Sequence, residues 1–143
     1  MSDPYNLQRF VDAQASTFTT ALSELKAGLK QSHWMWFIFP QLAGLGNSPT
    51  ARMYAISSLN EAFAYCRHPL LGQRLRQSVE ALLPWSSTRT VEQILGPVDA
   101  MKLRSSLTLF ARAGHDDLYA RALQLFFDAE PDHRTLALLN AEA

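Results

Sequence analysis

One stretch limits the folds open to this chain more than any other. In residues 32–49, SHWMWFIFPQLAGLGNSP, six consecutive apolar residues run into a proline and a glycine-rich turn. Each large aromatic side chain removes roughly 150–250 Å² from water when it is buried, so the run from Trp34 to Phe39 belongs in the core. Periodicity over so few residues does not separate a buried helix from a buried strand. Ser32 is a good N-cap and Pro40 imposes a stop, so we read a short buried helix, with a strand as the alternative. Trp34 and Trp36 lie two residues apart and point about 200° apart on a helix. They cannot share one hydrophobic wall, and one of them is expected to face a cleft or another layer.

At 143 residues the chain fits one domain with one core. Its 13 basic and 13 acidic side chains cancel, which removes the electrostatic footprint expected of a nucleic-acid or anionic-membrane binder. A local cluster of cations for a small anionic ligand remains compatible with that balance. The single cysteine, Cys66, excludes an intrachain disulfide and suits a reducing compartment. Residues 1–3 lead straight into a helix start without a signal segment, and no apolar run reaches the ~18 residues of a membrane span. A soluble, cytoplasmic protein is expected.

Helix signals recur along the chain. Asp3 and Pro4 read as a cap and first helical residue, followed by Leu7, Phe10, Val11 and Gln14 on one stripe. A glutamine on that stripe must find hydrogen-bond partners or face a wet cavity. Phe18, Ala21, Leu22, Leu25 and Leu29 mark a second helix that breaks near Gly28, with Lys26 and Lys30 placed to suit its dipole. Ser48 and Pro49 open another helix. Ser58 with Glu61 and Thr90 with Gln93 read as capping boxes. Leu71, Leu75, Val79 and Leu82 form a stripe that Pro84 ends. Residues 99–113 fit a helix by length, although Leu103, Ser105, Leu107 and Leu109 also alternate as a strand would. Two more helices start near Asp116 or Asp117 and near Pro131. Strand and hairpin signals are scarce. The expected fold is all-α: a single compact domain of about seven short helices around the central aromatic segment.

The stretch at residues 32–49, with DPYNLQRF near the start, EAFAYCRHPLLGQRL in the middle and KLRSSLTLF toward the end, resembles the domain-of-unknown-function 1810 family of small bacterial proteins. The motifs keep their order over nearly the whole chain. The resemblance implies an all-helical, monomeric protein and implies no activity, cofactor or catalytic residue. Some members bear the label calpastatin, which names a mostly disordered inhibitor; a chain that is 48% hydrophobic with repeated core stripes does not fit that label. The clearest departures are Leu95 and Ala129, where relatives often have Phe and Gly.

Four groups of residues carry candidate chemistry. Gly44, Gly46 and Ser48 precede a helix start, where free amides can hold an anion, and Arg52 lies one turn on. The plainer reading is a tight turn, since the third glycine of a dinucleotide fingerprint and the lysine of a P-loop are missing. His33 stands beside two indoles able to bracket a flat ring, with Gln41 beyond; a capping histidine and core tryptophans are the plainer reading. Lys102, Arg104, Ser105, Ser106 and Thr108 form a run of donors after Asp99. On a helix Asp99, Lys102 and Ser106 share one face, and Arg104 and Thr108 another. A Ser–Lys nucleophile there lacks a visible oxyanion hole, so a solvated face is plainer. Cys66 and His68 face apart on one helix, which points to an inert thiol. His33, His68, His115 and His133 have no paired metal spacing, so no metal is expected, and no cofactor.

Two functions follow from different classes. In the first, a pocket walled by His33, Trp34, Trp36 and Gln41 holds a small anionic, nucleotide-like or phosphorylated ligand through Arg52 and Lys102 or Arg104, with or without catalysis. In the second, the same aromatics line an apolar groove that docks a peptide or protein. A concave pocket containing His33 and an arginine favours the ligand; a flat apolar patch favours the partner. The neutral charge and abundant caps favour a monomeric ligand binder.

Overall fold

Residues 105–110 are all buried, so the helix that carries them is enclosed on every side and must lie inside the molecule. In the computed structural model, which describes residues 3–114 and 116–142, that helix is α8 (Pro97–Ala113), the longest of ten among the described residues. The others are α1 (Gln8–Ala15), α2 (Phe18–Lys26), α3 (Met35–Ile38), α4 (Pro49–Met53), α5 (Leu59–Arg67), α6 (Leu71–Leu82), α7 (Val91–Leu95), α9 (Leu118–Phe127) and α10 (His133–Glu142). A 3₁₀ turn, Leu83–Ser87, follows α6. Helices α5, α7, α9 and α10 pack on α8, while α2 and α5 pack on α6. A parallel bridge between Leu42 and Ile56 is the extent of extended pairing among the described residues. Met1 and Ser2 of the expected leaderless start, and His115 of the four histidines, lie outside the described residues.

The all-α expectation holds, and the strand alternatives for the aromatic run and for residues 99–113 fall away. Among the described residues ten helices form, where about seven are expected, because caps and turns cut the chain more often than the stripes suggest. The Thr90–Gln93 capping box forms in both directions. Gln14 is buried and fully engaged. Its amide donates to the Phe37 carbonyl at 2.7 Å and the Tyr65 hydroxyl at 3.1 Å, and its oxygen accepts from Arg74 at 3.4 Å. Phe10, Tyr65 and Phe110 pack in series, the first pair edge-to-face and the second tilted, at 5.2 and 5.4 Å between ring centroids, joining α1, α5 and α8.

Several local expectations are corrected. Helix α1 starts at Gln8, four residues after Pro4, because Asn6 turns left-handed at φ 53°. Asp3 still caps it from a distance: the amides of Leu7 and Gln8 donate to its carboxylate at 2.8 and 3.0 Å, and those bonds hold its carboxyl below the usual range. Leu29 lies beyond α2 and is exposed, because Gly28 ends the helix at φ +71° with its Cα face against the Trp85 ring. The Ser58 hydroxyl accepts from the Glu61 amide, but the Glu61 carboxylate turns to the Ser57 amide and to Arg9, so the box is not reciprocal.

Ser32 does not cap α3 either, since its hydroxyl and amide both donate to Glu24. Glu24 also accepts from the Gln31 amide and the Trp34 indole, at 2.7 and 2.9 Å. Partial burial opposes its charge, but the Ser32 hydroxyl, the two amides and the indole outweigh that and hold the carboxyl down at about 2. This one side chain fixes the entry to the aromatic run.

Two measurements check these local readings. A carboxyl whose folded value is depressed adds stability that is present above its unfolded value and is lost as pH falls through the folded one. Stability from Glu24 should therefore drain between about pH 4.5 and 2. Glu24→Gln should melt lower than wild type at pH 7 and lose less on acidification; equal acid sensitivity in the two proteins contradicts the assignment. Ala129 sits at φ 64°, a left-handed conformation that costs a non-glycine residue about 1–2 kcal/mol. The extra unfolded-chain entropy of glycine offsets part of this, so Ala129→Gly should raise the melting temperature by about 2 °C. A lower melting temperature would refute the strain.

Candidate functional site

Trp34, the N-cap of α3, is buried, while Trp36 in the first turn of α3 is half-exposed. Opposite them, the first turns of α8 present Asp99 and Lys102 on one face. The Asp99 carboxylate is shared by two ammonium groups, Lys102 at 3.3 Å and Lys30 at 3.0 Å. Each lysine also lies over an indole, Lys102 at 3.9 Å from the Trp36 ring centroid and Lys30 at 5.1 Å from that of Trp34. The side chains of Lys30, Asp99 and Lys102 are 10%, 17% and 21% exposed, so this cluster of two cations and one anion is largely withdrawn from water.

The cluster opens into a cavity of about 290 Å³ that is also lined by His33, Trp34, Trp36 and Thr50, with His33 exposed at its edge. A second recess of about 180 Å³ shares Trp36 and Lys102 as walls and adds Gln41, Ser105, Asp132 and Arg134. Asp132 is already engaged there, its carboxylate accepting from the Thr135 amide and hydroxyl. The structure thus brings His33, Trp34, Trp36, Gln41 and Lys102 around one pair of connected walls.

The other candidates lie elsewhere. Beside Gly44 and Gly46 only about 10 Å³ is free, barely the space of one water. A Cβ on Gly46 would stand 2.9 Å from that of Ala51 and 3.5 Å from the Trp36 ring, so this turn is packed against the indole. The Ser48 hydroxyl accepts from the Ala51 amide and caps α4, a helix of five residues. Arg52 is exposed and donates to the Asn47 carbonyl at 3.0 Å. Arg104 stacks its guanidinium 4.8 Å from the Phe127 ring centroid, away from both recesses, and its Nε is buried without an acceptor. Arg52 and Arg104 line no common cavity. The Ser106 hydroxyl is buried and unpaired one turn beyond Lys102.

Spacing pointed to Lys102 and missed Lys30. Lys30 follows the end of α2 and reads as a dipole partner, while its real partner, Asp99, is distant in sequence. A larger cavity of about 620 Å³, bordered by Cys66, was also invisible in the sequence. Burial pushes the Cys66 thiol up to about 11, and the Nδ1 of His68 accepts from the amides of Leu70 and Leu71. His68 therefore caps α6, and the Cys66 thiol stays protonated at neutral pH. Among the described residues no group of three or more His, Cys, Asp or Glu side chains could hold a metal ion, and no helix is long and apolar enough to cross a membrane.

The chain is similar to the conserved hypothetical protein Rv1873 from Mycobacterium tuberculosis, known from its crystal structure. The two share 48% identity over 96% of this chain and 99% of that chain, with a TM-score of 0.92. No curated protein matches the chain. The motifs around Trp36 and Lys102 lie within residues 4–139, which match the family model described as a protein of unknown function, DUF1810, and the chain belongs to that family.

Proposed function

We propose that this protein is a monomeric, cytoplasmic binder of a small anionic metabolite. The anion sits at Lys30 and Lys102, and the flat or apolar part of the ligand lies against Trp36. The observation that carries this reading is the charge imbalance in the cavity. Two ammonium groups share one carboxylate, no second acidic side chain among the described residues lines the space, and all three groups are mostly shielded from solvent. The surplus positive charge has weak competition from water there, so an incoming phosphate or carboxylate gains more than it would at the surface. A cavity of about 290 Å³ suits a phosphate, a sugar phosphate or a small carboxylic acid, and the adjoining recess with Gln41 and Arg134 gives a ring or a second polar end somewhere to go. The role assigned to these residues is binding and orientation.

A thermal-shift panel of inorganic phosphate, sugar phosphates, nucleoside monophosphates and dicarboxylates tests the reading. A ligand at 100 times its dissociation constant adds about 2.7 kcal/mol, or about 5–10 °C for a chain of this size. The shift should vanish in Lys30→Met and Lys102→Met and persist in Arg52→Gln. A panel without any shift, or a shift that survives both lysine substitutions, overturns it. Val98 and Met101, 65% and 70% exposed on α8 beside the Trp36 recess, would then favour the partner-docking alternative.

A further inference from the structure

A cavity of about 620 Å³ lies away from the lysine cluster, between the end of α5, the start of α6 and the start of α9. Its volume falls within the range of small-molecule sites. Two glycines border it. A Cβ on Gly72 would fall 2.1 Å from the Cys66 carbonyl oxygen, and one on Gly114 would fall 3.2 Å from that of Phe110. The backbone segments at these two helix ends can therefore approach more closely than any side-chain-bearing residue would allow. The apolar lining consists of the Phe63 and Tyr119 rings and the Cys66 thiol, which favour contact with another aromatic ring.

Charge accounting around the rim narrows the ligand further. Among the described residues four charged ones stand there, Arg67, Arg76, Asp116 and Asp117. Arg76 contacts the Asp116 carboxylate and also reaches Glu80 at 3.9 Å, so Arg76 and Asp116 neutralise each other. Arg67 stacks 5.5 Å from the Phe63 ring centroid. Among the described residues neither Arg67 nor Asp117 has an oppositely charged partner. One cation and one anion are left over, above an aromatic-lined floor.

We infer that this cavity is a second binding site, for a small aromatic zwitterion of the amino-acid type, with Arg67 pairing the ligand carboxylate and Asp117 its ammonium. A purely anionic ligand would meet Asp117, and a purely cationic one would meet Arg67. The site is independent of the lysine cluster and asks for the opposite ligand balance, neutral overall and aromatic.

Cys66 is the one cysteine of the chain, borders the cavity and is partly exposed, so it reports occupancy directly. The experiment follows alkylation of Cys66 by N-ethylmaleimide at pH 8.5, by intact mass, with phenylalanine, phenylpropionate or phenethylamine present. Phenylalanine at four times its dissociation constant should slow alkylation about fivefold, and the singly charged analogues should slow it less at equal concentration. Arg67→Gln and Asp117→Asn, both exposed positions, should each abolish the protection, and Lys102→Met should retain it. Phenylalanine-dependent thermal stabilisation, present in wild type and absent from the two rim variants, gives a second readout. Equal alkylation rates with and without phenylalanine, or protection that survives both rim substitutions, overturns the proposal.

Discussion

Arg9 is the clamp on which the arrangement of the first half of the chain depends. All five of its N–H donors are used: on the carbonyls of Tyr5, Asn6, Met53 and Ala55, and on the Glu61 carboxylate at 2.9 Å. Glu61 is itself buried, and its second oxygen accepts from the Ser57 amide and hydroxyl. Such a pair loses about 3–5 kcal/mol when one partner is removed, because the other is left charged and unpaired away from water. Through it α1, the end of α4 and the start of α5 are held as one body. The Leu42–Ile56 bridge then passes the constraint to Gln41, and Ala51 passes it through Gly46 to the edge of Trp36.

Glu24 does the same from the other end of the aromatic run, binding Ser32 and the Trp34 indole. Trp34 is thus fixed by the Glu24 carboxylate of α2, and Trp36 by the turn at Gly46 that packs against its ring. Because the indoles are fixed, the two lysines can lie over them and still share Asp99. Rigid aromatic walls hold the cations in place without compensating them fully, and that residual charge is the property a small anion would use.

Capping residues and apolar stripes made the helical fold legible. Ser48, Thr90 and the Leu71–Leu75–Val79–Leu82 stripe behave as their local chemistry dictates. Two of the misreadings share one cause. Ser32 and Glu61 have good local roles as cap and box, but distant carboxylate and guanidinium partners bind them more strongly, and no spacing rule registers a partner that far along the chain. Lys30 was hidden in the same way. Trp36 was legible as a candidate because two tryptophans two residues apart do not share one face of a helix, although Trp34 proves to be the N-cap of α3. Lys102 was legible because a lysine three residues after an aspartate on a helix shares its face. At Gly44 and Gly46 the plainer reading, a tight turn, was the one the packing favours, although a turn packed against an indole and a turn that cradles an anion begin with the same residues.

The most direct measurement of the central claim is an anomalous difference map from a crystal soaked in selenate. A charge surplus shared by Lys30 and Lys102 should place a selenium peak within about 4 Å of both ammonium nitrogens, over the edge of Trp36. Peaks confined to exposed arginines such as Arg52, with nothing between the two lysines, would contradict it.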